Sequence, residues 1–194
     1  MAQARLAANQ KKGRRRQAVI VFLDETGFLL QPLNRRTWAP TGSLPQQYAS
    51  HRHDRWSVIG SLSLSPKRRR LRMSFRLYDD NVRAPQVMRY LRQLHREHGR
   101  ELLVVMDRLN VHRSAVRQLR QRGARWLHVE WLPSYAPDLN PVEAMWSHAK
   151  YTPLANFVPD DRDHLQDAVI EAVGDLHFKP QLLQSFFQAA KLRL

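Results

Sequence analysis

Two aspartates in this chain follow directly on uninterrupted apolar runs, Asp24 after residues 18–23 (AVIVFL) and Asp107 after Leu102–Met106 (LLVVM). Short runs of this kind, rich in β-branched residues and free of polar ones, predict strands buried on both faces. A carboxylate at the end of such a strand is held at a set depth with little freedom, and the first strand is expected to stop at Asp24. Helix geometry supplies a third carboxylate. Asn140 is a good N-cap and Pro141 a good first helical residue, so a helix begins there with Glu143 in its first turn. On that helix Val142, Met145, Trp146 and Ala149 form an apolar stripe, and Glu143 lies at its border, as does Lys150 two turns further on. Hard oxygen donors in this number suit a divalent cation such as Mg²⁺, and Lys150 suits a phosphate beside it.

The elements that must bring these side chains together can be read from periodicity. Residues 56–64 and 71–77 alternate with period two and flank the turn 65–70, which makes a hairpin with a basic tip, Arg68, Arg69 and Arg70. Residues 84–98 change to helical spacing, residues 113–122 predict an exposed helix, and residues 126–131 a third buried strand. Two further amphipathic helices are expected over 161–174 and 179–192. Residues 27–55, punctuated by Gly27, Pro32, Pro40, Gly42 and Pro45, predict an irregular excursion with a short strand or two. Strands joined through a helix are parallel neighbours by a right-handed crossover, which sets Asp24 and Asp107 on one carboxyl edge. The expectation is one α/β domain over residues 18–194 with a mixed sheet and flanking helices, preceded by a basic flexible arm over residues 1–17.

The chain has 194 residues with 43% hydrophobic content and no cysteine, which excludes disulfide frameworks and thiolate metal sites. No apolar run approaches the roughly 20 residues of a membrane span, and none follows the basic start as a signal peptide would. A cytoplasmic protein without membrane contact is the expectation. Of its 32 basic residues, 26 are arginine, and the formal charge of +15 is unevenly spread. Residues 1–125 hold 27 basic and 8 acidic side chains, residues 126–194 only 5 and 9. Such a block predicts a polyanionic partner held through phosphates, nucleic acid above all. Candidate contacts are Arg35 and Arg36 beside Trp38 in the excursion, Arg68 to Arg70 at the hairpin tip, Arg108 after Asp107, and His112, which could equally cap the next helix. Trp38 could stack on a base or pack its loop down. Glu25 is expected to support the carboxylates from outside or to face solvent. Asp138 is expected to support the turn into the helix, with ligation in place of Glu143 as the alternative. His51 with His53 and Asp54, and His95 with His98, have metal-compatible spacings, but lacking a third matched ligand they read as surface histidines.

The segments LDETGFLLQPLNRRTWAPTGSLP, VVMDRLNVHRS and WLPSYAPDLNPVEAMWSHAK resemble the three motif blocks of the DDE transposases of bacterial insertion sequences related to the Tc/mariner group. The resemblance covers residues 19–151, and the 35 residues between Asp107 and Glu143 match the family's spacing. It departs at Arg108, where the family commonly has asparagine. It implies a ribonuclease-H-like fold with a mixed five-stranded sheet, a catalytic and metal-binding triad of Asp24, Asp107 and Glu143, and two Mg²⁺ or Mn²⁺ ions. The implied reaction is cleavage of double-stranded DNA at transposon ends and strand transfer of the 3′-hydroxyl into target DNA. Lys150 matches the basic residue that follows the glutamate. A homodimer is the family expectation. Nothing in the chain corresponds to the family's helix-turn-helix region, so a separate partner frame carrying one is expected. Two rivals stand beside this reading: a ribonuclease-H-like nuclease without strand transfer, and a non-catalytic DNA-binding remnant.

Overall fold

The structure is a computed structural model describing residues 17–48, 54–67, 70–134 and 136–192. The basic arm apart from Gln17, His51, His53, Arg68 and Arg69 lie outside the described residues. Five strands, β1 (Val19–Leu29), β2 (Arg55–Leu64), β3 (Leu71–Tyr78), β4 (Leu102–Met106) and β5 (Leu127–Trp131), form one sheet in the order β3-β2-β1-β4-β5. The first three are antiparallel, while β1, β4 and β5 run parallel. Helices α1 (Ala84–His98) and α2 (Asn110–Gln121) provide the parallel crossovers; α3 (Pro141–Tyr151), α4 (Arg162–Gly174) and α5 (Pro180–Ala189) follow.

Strand alternation divides the core into two layers. Val19, Val21 and Leu23 of β1 and Leu102, Val104 and Met106 of β4 pack with α1 and α2. Ile20 and Phe22 with Leu103 and Val105 pack with α3, α4 and α5. Continuing the same parity, Asp24 and Asp107 belong to the α3 face and Glu25 to the α2 face. Pairing of β1 with β4 runs from Val19↔Leu102 to Phe22↔Val105. Two residues further along that register, Asp24 stands beside Asp107.

The first strand does not stop at Asp24 as its composition suggested. It continues to Leu29 as an antiparallel ribbon with β2, ending at Leu29↔Arg55. Pairing on the β2 side keeps the backbone extended after β4 has ended, so Asp24 occupies the point where β1 loses one of its two neighbours. The second crossover helix begins at Asn110, three residues before the expected start. In the excursion, the described residues contain one isolated bridge, Leu33 to Ala155, where a strand or two was expected.

Asp24 pairs across the sheet with Gly60. A Cβ at Gly60 would lie 2.5 and 2.6 Å from ring atoms of Trp146 on α3. The indole, 2% exposed, also meets the Phe28 ring edge-on at 6.3 Å. The absent side chain at Gly60 therefore sets how closely α3 approaches the strand that carries Asp24. Asn140 fixes the start of the same helix: its Oδ1 accepts from the Val142 N–H at 3.2 Å and its Nδ2 donates to the Leu23 carbonyl at 3.3 Å. The capping residue expected from sequence is thus also a tie to β1, one residue before Asp24. Gly60→Ala is expected to lower stability by about 1–3 kcal/mol through overpacking against a rigid ring. Thermal denaturation checks this, and an unchanged melting temperature would show that α3 is not seated by this contact.

Candidate active site

Asp24, Asp107 and Glu143, from segments far apart in sequence, share the edge where β4 ends. Their charges act on one another. Burial, then the charges of Glu143 and Glu25, push the Asp24 carboxyl up to about 8, with Asp107 adding to the effect and a backbone hydrogen bond from Glu25 opposing it. Burial also raises Glu143, with Asp107 adding to it and Lys150 working against it. Lys150 is itself lowered by burial, while Glu143 and Asp24 favour its charge. Its Nζ donates to Thr26 Oγ1 at 2.5 Å and stands 5.4 Å from the centre of the Phe28 ring.

Asp107 behaves differently. Burial would raise its carboxyl, but hydrogen bonds from His112 and from the Leu109 N–H, together with the His112 charge, leave it below the ordinary range. His112, whose side chain is 1% exposed, lies between two carboxylates: Nδ1 meets Asp107 Oδ1 at 2.5 Å and Nε2 meets Glu25 Oε1 at 2.7 Å. Burial disfavours its charge, yet the hydrogen bonds to Asp107 and Glu25 outweigh it and push the imidazole up to about 10. At neutral pH the group is an imidazolium clamped by two carboxylates.

This Asp107–His112–Glu25 bridge is not legible in the sequence by itself. His112 does not contact solvent as a DNA ligand would; both ring nitrogens are occupied and the side chain is buried. The one signal is the start of α2: counted from Asn110, His112 falls in the first turn, directed back at Asp107. Glu25 takes the first of its two expected roles, supporting Asp107 from outside by holding the far side of the imidazole, as its parity on β1 requires.

Other candidates separate. Arg35 donates to the Tyr151 carbonyl at 2.9 Å, its guanidinium lies over the Tyr151 ring at 5.3 Å, and its N–H bonds Asn156 Oδ1 at 2.7 Å. It straps the excursion to the end of α3. Trp38 is 99% exposed and does not pack its loop down. Arg36, Arg70 and Arg108 are exposed. Asp138 is exposed in a turn before α3, while Trp146 is core, as expected. His95 stacks on Trp126 at 4.2 Å and His98 bonds Ser63 Oγ at 3.2 Å, so the two serve separate packing roles.

The donor set fits a hard divalent cation. Four carboxylates, with Lys150 and His112 as the cations whose charges act on them, leave Asp24 short of compensation, which a bound cation would supply. Among the described residues no three His, Asp or Glu side chains are already drawn together as a ligand shell. Asp107 Oδ1 is held by His112 and the Leu109 N–H.

A mixed sheet in this order, with helices on both faces and carboxylates on one edge, defines a ribonuclease-H-like domain. The profile of a family described as DDE superfamily endonuclease matches residues 19–166, and the chain belongs to that family. The resemblance read from the three sequence blocks is borne out at the level of family and fold. No curated protein sequence matches the chain. Among solved structures, the Mos1 mariner paired-end complex with Mn is similar with a TM-score of 0.63 at 17% identity, covering 97% of this chain and 58% of that one. The corresponding complex with Mg gives 0.61 at 18% identity over 97% and 58%. The Mos1 strand transfer complex gives 0.54 at 16% identity over 100% and 60%. The chain thus spans about three fifths of the length of the solved chains it matches. No helix among the described residues is long and apolar enough to cross a membrane.

Two outcomes follow from these contacts. The metal-free wild type loses stability as pH rises from near 4 to about 8, because an unfolded Asp24 ionises at its ordinary value of 3.8 and the folded one does not until about 8. Asp24→Asn is therefore expected to melt higher than wild type at pH 8 in a chelator and to show no such gain near pH 4; equal curves at both would mean Asp24 carries no such burden. His112→Ala leaves Asp107 and Glu25 facing each other unpaired. A loss of about 2 kcal/mol is expected in denaturant titration, the value for a broken buried pair reduced for the partial exposure of Asp107.

Proposed function

We propose that this chain is the catalytic domain of a DNA transposase in which Asp24, Asp107 and Glu143 hold two divalent cations, Mg²⁺ or Mn²⁺. It cuts double-stranded DNA at transposon ends and joins the freed 3′-hydroxyl to target DNA. The observation that carries this reading is the Asp24 carboxyl, forced up to about 8 at an edge it shares with Glu143 and Asp107. Divalent cations held at this edge would relieve that burden. Membership of the DDE superfamily endonucleases supports the reaction class. The Mos1 structures, described as paired-end complexes with Mn and Mg and as a strand transfer complex, support the cations, the DNA and the joining step.

When bound, such cations activate the attacking water or hydroxyl and stabilise the leaving oxygen. The chain's own residues position and charge the site. Asp24 is fixed by a strand paired with β2, and Glu143 by a helix seated on Gly60 and tied through Asn140. His112 and the Leu109 N–H keep Asp107 ionised and limit its rotation. Lys150, near Glu143 and Asp24, is placed to meet a phosphate, and the exposed Arg36, Arg70 and Arg108 to grip flanking backbone. Joining two transposon ends calls for two such sites, hence a homodimer. A cytoplasmic, nucleoid-associated location follows from such a substrate.

Asp107→Asn is expected to reduce Mn²⁺-dependent nicking of supercoiled DNA by at least about a hundredfold, since removal of an outer partner alone costs roughly 10- to 100-fold. Equal nicking by wild type and Asp107→Asn would remove the enzymatic reading. Nicking without joining of a 3′-hydroxyl end would reduce it to a nuclease.

A further inference from the structure

The layer formed by α1 and α2 lies on the opposite side of the sheet from α3, and its outer surface is built from arginine. On α1, Arg89, Arg92 and Arg96 follow at intervals of three and four and share one face. On α2, Arg113, Arg117 and Arg120 do the same. Taking 100° per residue, each trio falls within about 60° of arc. Arg122, beyond the end of α2, turns toward α1 and lines a hollow of about 360 Å³ with Arg89, Arg92 and Arg96. A second hollow, of about 550 Å³, is lined by Arg113, Arg117 and Arg120 with Arg108 and Trp131.

Three features separate this face from an ordinary solvated helix surface. No acidic residue occurs on α2, and the single one on α1, Glu97, is hydrogen-bonded by Gln93 at 2.7 Å away from the stripe. Among the described residues, none of these guanidinium groups forms an ion pair, whereas exposed Arg83 pairs with Asp80. The α2 stripe also begins one residue after His112, so it leads back from the carboxylate edge along the helix axis. Arg113 to Arg120 spans about 10 Å at 1.5 Å per residue, about three phosphate steps along one strand at roughly 3.4 Å of helix axis each.

We propose that the outer face of α1 and α2 is a second phosphate-binding track, which holds duplex DNA beyond the stretch engaged by the catalytic edge. It rests on the reading of this chain as a DNA-acting enzyme and adds a surface that the triad does not need. Arginine suits the task, because its planar fork takes phosphate oxygens in pairs and stays charged at any working pH. The contacts are to backbone only, so the track carries no sequence preference.

The experiment compares wild type with the fourfold variant Arg92→Gln, Arg96→Gln, Arg117→Gln, Arg120→Gln, by anisotropy of a labelled mixed-sequence duplex across a salt series. Thermal melts establish that both are folded. The slope of log affinity against log salt is expected to be shallower in the variant by about 3 to 4, at roughly 0.9 for each phosphate no longer neutralised. An unchanged slope in a folded variant overturns the track. Displacement of the duplex from wild type by poly-glutamate as readily as by unlabelled duplex overturns it too, in favour of an acidic protein partner. Mn²⁺-dependent nicking by wild type is measured alongside. If nicking is present and the slope unchanged, the track alone falls; if wild type neither nicks nor binds duplex, the functional reading falls with it.

Discussion

Carboxylates gathered at one edge of an apolar sheet repel one another, and much of the surrounding structure counters that repulsion. Asp24 bears most of it, being the most deeply buried and the one nearest to two other acids in effect. Two cations answer it in different ways. His112 clamps Asp107 to Glu25 and so offsets part of the charge of both. Lys150 acts on Glu143 and Asp24 from the end of α3, despite its own burial. The remaining excess of negative charge is a property of the polypeptide alone, and it is what suits the edge to a hard cation.

Positioning is shared between the two sides of the sheet. On one side, Gly60 and Trp146 set the height of α3, and Asn140 ties its first turn to the carbonyl of Leu23. On the other, α2 carries His112 up to the same edge. The acids are therefore held from both layers, and a shift of either helix relative to the sheet is felt at the carboxylates. Packing at Gly60, on the strand beside Asp24, thereby bears on chemistry it never touches.

Much of this arrangement is legible in the sequence. The apolar runs before Asp24 and Asp107 and the cap at Asn140 are local signals, and they correctly give the parallel pair and the start of α3. What stays hidden depends on partners distant along the chain. The continuation of β1 past Asp24 is imposed by β2, against a local sequence containing Asp24, Glu25 and Gly27 that argues for a turn. The bridge from His112 to Glu25 spans 87 residues and becomes visible only once strand parity and the start of α2 are both known. Arg35 carries the signature of a phosphate ligand, yet its acceptor is a helix-end carbonyl. Gly60 has no signature at all, because its importance lies in the indole that occupies the space beside it.

The change of partner along β1 has a consequence for how the chain reaches this state. The ribbon of β1 with β2 and then β3 closes over short stretches of chain, whereas docking β4 beside β1 joins residues more than eighty positions apart, as in Val19↔Leu102. Loop-closure entropy favours the nearer pairings first. The topology therefore favours a sequence of events in which Asp24 is set in a finished ribbon while Asp107 and Glu143 are still far away in solvent. In that order the charges of Asp107 and Glu143 come to bear on Asp24 only with the later association.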